Sequence, residues 1–119
     1  MHKFRIARGR TGKLRVQFLY NAEIMVWSEN YESAASAKNC ITSIKKNAPA
    51  APIIDLTRKE DGKGYRFEID RSRDGQFFVR FVARNGETMV RSERYTDKRN
   101  AKKCAMSIQM RAAAATVES

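Results

Sequence analysis

The chain has 119 residues, of which 42% are hydrophobic and 31% charged, and its formal net charge is +11. This composition is typical of a globular protein and excludes disordered, fibrous and membrane-spanning classes. No apolar run approaches the roughly 18 residues of a membrane-spanning helix, and no apolar segment follows the basic N-terminus, so we expect a cytoplasmic protein with no membrane partner.

Alternating apolar and polar residues predict two β-strands near the start of the chain. Phe4 and Ile6 alternate with basic residues, and Val16 and Phe18 belong to a second alternating run. Gly12 lies between the two runs, where a tight turn is expected. A third strand is expected in the segment between residue 20 and the helix described next, and the three strands together predict an antiparallel meander.

From Ser33 onward the apolar spacing changes to that of one helix face. The apolar residues recur at intervals of three and four, at Ala37, Cys40, Ile41, Ile44 and Ala48. Ser33 is the predicted N-cap, and Pro49 ends the helix after a basic last turn. Residues 52–56 then predict a short strand.

The second half of the chain repeats the first. A shift of 63 places Phe4 on Phe67, and after one inserted residue a shift of 64 places Tyr31 on Tyr95. The insertion falls in the turn between the second and third strands, where an Asn-Gly pair at 85–86 is a strong hairpin signal. The repeat therefore predicts the same elements twice.

A unit of about 60 residues is at the margin of independent stability, so the two units should share one core. We predict an α+β fold in which two tandem βββαβ repeats form one continuous antiparallel sheet, with both helices on one face. Residues 1–119 then form a single compact domain with repeat one at 1–57, a linker at 58–64 and repeat two at 65–119. The last strand of repeat two corresponds to 116–119.

Four sequence motifs recur or stand out in this pattern. They are the aromatic-x-Ile strands at 4–6 and 67–69, Ser-Glu-x-Tyr at 28–31 and 92–95, Asn-Gly-Glu at 85–87 and Ile-Lys-Lys-Asn-Ala at 44–48. Together they resemble the YegP-like family, small bacterial tandem-repeat proteins built from a domain of unknown function. The resemblance covers nearly the whole chain. It implies that the terminal strand of each repeat is exchanged onto the other half, and it brings no catalytic or ligand-binding residues.

The sequence has few of the residues and motifs that form catalytic sites. Its sole histidine, His2, lies at the N-terminus, and Cys40 and Cys104 lie on the apolar helix faces, where thiols pack as small hydrophobic groups. Phosphate-binding loops, dinucleotide motifs, metal clusters and nucleophile elbows are all absent from the sequence. We therefore predict a protein that is not an enzyme, with reduced thiols, no metal site and no cofactor.

The repeated Ser-Glu-x-Tyr segments allow two interpretations. They shape the connection from strand to helix, or they form an acidic ligand site that occurs twice. We favour the first, because a duplicated structural joint explains the pairing without a ligand.

The sheet face opposite the helices, called the open face below, carries the most informative residues. Trp27 aligns with Arg91 of the second repeat, and a position that tolerates both is not expected in the core. Alternation also directs Leu19 and Val82 to this face. The candidate residues for binding nucleic acid or another anion are Arg5, Arg15, Trp27, Phe78, Arg80 and Arg91. A rival basic patch lies on the second helix, at Lys98, Arg99, Lys102 and Lys103.

Two hypotheses of function follow. The first is a non-catalytic binding or structural module whose basic surface engages nucleic acid or another polyanion, since cations interspersed with rings are typical of single-strand platforms. The second is a self-associating protein, such as a homodimer, with Trp27, Phe78 and Val82 at the interface and no nucleic-acid role. Plain solvation of the sheet by its charges is the simplest account of the open face. Binding that weakens steeply with salt would separate the first hypothesis from the others.

Overall fold

The computed structural model describes residues 1–118, so Ser119 of the predicted last strand lies outside the described residues. The helices are α1 (Ala34–Asn47) and α2 (Lys98–Arg111). The strands are β1 (His2–Arg8), β2 (Leu14–Tyr20), β3 (Glu23–Tyr31), β4 (Ile53–Asp55), β5 (Arg66–Arg71), β6 (Phe77–Val82), β7 (Thr88–Ser92) and β8 (Thr116–Glu118).

All of these strands form one sheet, in the order β4-β5-β6-β7-β3-β2-β1-β8. The six central strands pair antiparallel, with β3 against β7 at the junction of the two units. At the two ends of the sheet, β4 pairs parallel with β5 and β8 pairs parallel with β1. The predicted α+β fold is confirmed, but the sheet is mixed rather than antiparallel throughout. The reason is that residues 56–65 carry the chain back, so that β5 starts beside β4 and runs in the same direction.

A 3-10 turn leads from β4 into the predicted linker at 58–64, in which residues 59–64 belong to no helix or strand. Leu56–Arg58 form a 3-10 turn that ends at Lys59, whose φ is 60°. Lys98 of α2 donates to Asp55 Oδ2 and to Thr57 Oγ1, each at 2.9 Å. These contacts fasten the turn to the start of α2.

Both helices pack on one face of the sheet, as their apolar stripes predict. Their N-caps are confirmed: the Ser33 side chain accepts from the backbone of Ser36, and the Asp97 side chain from the backbone of Arg99. One cluster of buried residues spans both units, and its largest members are Phe4, Phe18, Phe67 and Phe81. The two units therefore share a core. Neither helix of the described chain has the length and apolar character that crossing a bilayer takes.

A serine in the third strand of each unit bonds the backbone of the neighbouring strand. Val16 N–H donates to Ser28 Oγ at 2.8 Å, and this hydroxyl donates to Glu29 O at 2.8 Å. The second unit repeats the arrangement, with Val79 N–H donating to Ser92 Oγ at 3.0 Å. Both serines are buried. The serine of the Ser-Glu-x-Tyr segment is thus a structural joint, as the favoured interpretation held.

Candidate binding groove on the open face

A row of side chains in register crosses the open face. Cross-strand pairing gives the order Arg5, Gln17, Trp27, Arg91, Arg80 and Glu68. Directly paired residues project to the same face of a sheet, so these side chains are neighbours. Trp27 and Arg91, which occupy equivalent positions in the two units, lie side by side at the junction.

A groove of about 360 Å³ lies at this junction. It is lined by the candidate residues Arg15, Trp27, Phe78, Arg80 and Arg91. Trp27 and Phe78 are half-buried, whereas Arg15 and Arg91 are exposed. Arg5 does not line the groove: it lies on β1, two strands from the junction, and its Nε and Nη2 both donate to Gln17 Oε1, at 3.0 and 2.8 Å.

The arginines of the groove differ in their ionic partners. Arg80 Nη2 lies 3.0 Å from Glu68 Oε1 and 3.2 Å from Asp70 Oδ2. Its half-buried guanidinium is therefore already neutralised, and Arg80 is a poorer phosphate contact than its sequence position suggests. Within residues 1–118, Arg15 and Arg91 take part in no salt bridge.

The two rings of the groove also differ. The guanidinium carbons of Arg91 and Arg80 lie 4.9 and 5.5 Å from the centroid of the Phe78 ring. Cation–π contact orients Arg91 without removing its charge. Trp27 makes no aromatic or cation–π contact among the described residues. Its indole is the ring of the groove that remains available for stacking.

Alternation alone did not predict every residue of the groove. Glu29, Thr88 and Met89 also line it. A register shift between Phe81 and Val82 lets neighbouring residues of β7 reach the same groove. Glu29 adds one carboxylate, so the groove is not uniformly cationic. The repeated Ser-Glu pair was the sequence signal that could have placed it there.

Two residues expected to be exposed on the open face are buried. Leu19 and Val82 share that face with their cross-strand partners Lys3 and Arg66, yet each is only 1% exposed. Each is flanked by neighbouring strands on both sides, and longer side chains can cover a short aliphatic group there. Val82 is therefore unavailable for the apolar interface of the self-association hypothesis.

The rival basic patch on α2 is divided. Lys98 pairs with Asp55 at the end of β4, and Arg99 pairs with Asp97 through an Nη2–Oδ2 contact of 2.8 Å. Lys102 and Lys103 are exposed but border separate grooves. Lys98, Arg99 and Lys102 line one groove and Lys103 borders another, and two of the three in the shared groove are already paired with carboxylates. Across the part of the chain that the structure describes, no group of three His, Cys, Asp or Glu side chains is placed to hold a metal ion.

These features define a class of protein: two βββαβ units that share one mixed eight-stranded sheet, with a groove where the units meet. The chain belongs to the family described as Domain of unknown function (DUF1508), which matches residues 11–55 and 72–119, once in each unit. The resemblance to YegP-like proteins is thereby confirmed.

Curated relatives are bacterial UPF0339 proteins. One from Caulobacter vibrioides is 52% identical over 56 residues, which are 47% of this chain and 95% of the relative. That relative therefore has the length of a single unit. A UPF0339 protein of Bordetella pertussis is 36% identical over 75 residues, 63% of this chain and 56% of the relative.

Two solution NMR structures share the fold. A UPF0339 protein from Shewanella oneidensis matches with a TM-score of 0.78 at 15% identity, covering 98% of this chain and 89% of that one. The protein of unknown function yegP from E. coli matches with a TM-score of 0.77 at 21% identity, covering 98% of this chain and 90% of that one. The tandem arrangement is thus an established architecture.

Proposed function

We propose that this chain is a non-catalytic binding module whose open-face groove takes single-stranded nucleic acid. The observation that carries the proposal is the placement of Trp27, in one groove of about 360 Å³, beside the guanidinium groups of Arg15 and Arg91, which form no salt bridge with any other residue of 1–118. An indole offers a stacking surface for a base, and guanidinium groups contact phosphate. The groove combines both on a rigid sheet.

Charge supports the same proposal at longer range. The net charge of +11 attracts polyanions irrespective of sequence, and phosphate contacts made by cations release counterions. Because only one indole is available, we expect tolerant recognition of exposed bases rather than sequence readout. Glu29 at the groove limits how many phosphates can approach closely.

Intrinsic fluorescence tests the proposal directly, since Trp27 is the sole tryptophan of the chain. A short mixed-sequence oligonucleotide titrated at low salt should change the Trp27 emission, and its affinity should fall steeply as salt is added. With a labelled oligonucleotide followed by anisotropy, Trp27→Ala should weaken binding by about 1–3 kcal/mol with little change in salt dependence. Arg15→Ala and Arg91→Ala should each weaken binding and lower the salt slope by about 1.

Matched variants distinguish binding at the groove from attraction by the overall positive charge. Arg73→Ala removes the same charge from an exposed turn outside the groove, so its effect should be smaller than that of Arg15→Ala. If no oligonucleotide binds at low salt, or if Arg73→Ala and Arg15→Ala are equivalent, the groove is not a nucleic-acid site. Loss of binding in Lys102→Ala and Lys103→Ala, with none in Trp27→Ala, would instead place the site on α2.

A further inference from the structure

A second groove, of about 440 Å³, lies on the helix side of the sheet, between α2 and the strands of the first unit. Three of its residues, Tyr20, Met106 and Met110, are 48%, 43% and 68% exposed. They are three of the five large exposed hydrophobic side chains within residues 1–118. Apolar exposure in this molecule is therefore concentrated in one concave place, which is typical of a binding surface.

The core does not require these methionines. The buried residues of α2 are Ala101, Cys104, Ala105 and Ile108, whereas Met106 and Met110 lie one turn apart on another side of the helix. The first unit provides an internal comparison, because α1 carries Thr42 and Lys46 at the two equivalent positions. The same fold thus forms with polar residues there, and the apolar side chains at these two positions are particular to α2.

The equivalent side of α1 is occupied by a polar contact. Ser43 Oγ donates to Tyr65 Oη at 3.3 Å, and Asn47 Nδ2 donates to Ser43 O at 2.9 Å. In the second groove, Ser107 is equivalent to Ser43, Arg111 to Asn47, and His2 to Tyr65.

Cations border the second groove. Lys103 and Arg111 both line it, and neither takes part in a salt bridge among the residues that the structure describes. Burial and the nearby charge of Arg111 lower the pKa of His2 from its ordinary value, which favours the neutral imidazole. The groove therefore combines apolar side chains with two uncompensated positive charges.

We propose that this groove docks a short segment of another protein in which one or two large apolar side chains lie beside carboxylates. The apolar side chains contact Met106 and Met110, whose flexible thioether chains adapt to different shapes. The carboxylates pair with Lys103 and Arg111. Charge complementarity selects the acidic partner, and the site is independent of the nucleic-acid groove because it lies on the opposite side of the sheet.

A displayed library of random 12-residue peptides tests this proposal. The full-length protein serves as bait, with counter-selection against the double variant Met106→Thr/Met110→Lys, which transplants the residues of α1. Enriched peptides should carry Asp or Glu beside large apolar residues, and synthetic copies should bind the wild type at least about tenfold more tightly than the double variant. Lys103→Ala and Arg111→Ala should each weaken binding severalfold, and Trp27→Ala should leave it unchanged.

Peptide binding to the single variant Met110→Lys and sedimentation of the wild type provide two further tests of the proposal. Met110→Lys alone changes a side chain that is 68% exposed, so it retains the fold even if the double variant does not, and it should also weaken binding. The proposal is overturned if no peptide is enriched, if the enriched peptides lack carboxylates, or if they bind Met110→Lys as tightly as the wild type. It is also overturned if sedimentation shows a wild-type dimer that Met110→Lys abolishes, because a second copy of the chain would then occupy the groove.

Discussion

Ser28 and Ser92 make the same contacts in the two units, whereas Trp27 and Arg91 occupy equivalent positions with different side chains. Each serine accepts a backbone N–H and donates to a backbone carbonyl inside the sheet, so both units need it. The open-face position has no such constraint. A duplicated chain therefore separates residues that the fold requires from residues that are free to diverge.

Cys104 offers a test of burial at the residue scale. Burial raises the pKa of this thiol to about 12, from 9.0. Between these values the unfolded chain loses the proton and the folded chain keeps it, so stability should fall as pH rises from about 9 to 12, by up to about 1.4 kcal/mol per pH unit. Cys104→Ala should cost about 1–3 kcal/mol at pH 7 and show a weaker pH dependence. Urea unfolding at pH 7, 9 and 10 measures both effects.

Alkylation provides the companion measurement for both thiols. Burial also raises the pKa of Cys40, and the two side chains are 5% and 3% exposed. Native protein at pH 8 should therefore react slowly with iodoacetamide, and unfolded protein quickly. Rapid modification of either thiol in the folded state would contradict their role as core residues.

At the scale of elements, periodicity predicted the helices and the meanders, because apolar spacing is imposed by the core that they share. It could not predict the direction of β4 and β8. Each is three residues long, too short for an alternating pattern, and its pairing depends on the course of the irregular segments beside it. Alternation also placed Arg80 on the correct face of the sheet. It could not show that Glu68 and Asp70 neutralise this arginine, because those contacts depend on which residues lie opposite it on the neighbouring strand.

The two helices also bind each other's units through equivalent side chains. Lys45 of α1 donates to Ala115 O at 2.7 Å, just before β8, and Gln109 of α2 donates to Ala51 O at 2.8 Å, shortly before β4. A lysine and a glutamine thus make the same type of contact. The sequence difference at the end of α2 does not remove this connection between units.

These contacts lead to a prediction about substitution at Lys45. Lys45→Gln should change the free energy of unfolding by less than about 0.5 kcal/mol, because Gln109 shows that glutamine reaches the equivalent carbonyl. Lys45→Ala should lower it by about 1–3 kcal/mol, since a half-buried carbonyl loses a charged donor. Lys46→Ala, at an exposed neighbour, is the control. Equal losses in the three variants would show that the contact contributes nothing specific.

At the scale of the whole molecule, the two units complete each other. One core spans both, β4 of the first unit pairs with β5 of the second, and β8 of the second pairs with β1 of the first. Relatives with the length of one unit carry the same sequence pattern. A second copy of such a unit could supply the strand that the other unit supplies here.

Residues 1–57 expressed alone should therefore not form a stable monomer. The α1 stripe would cover only half of the shared core, and β4 would lack the strand with which it pairs. Two copies can replace both losses, because β1 is equivalent to β5 and can accept β4 of the partner. We expect an unfolded fragment at low concentration and a folded dimer at high concentration, followed by circular dichroism and sedimentation. Ile54→Pro is the matched control: its effect on the dimer should be large, because in this parallel pair Phe67 N–H donates to Pro52 O and Ile54 supplies the return donor that proline removes. A fragment that unfolds cooperatively as a monomer, independently of concentration, would show that each unit is a domain by itself.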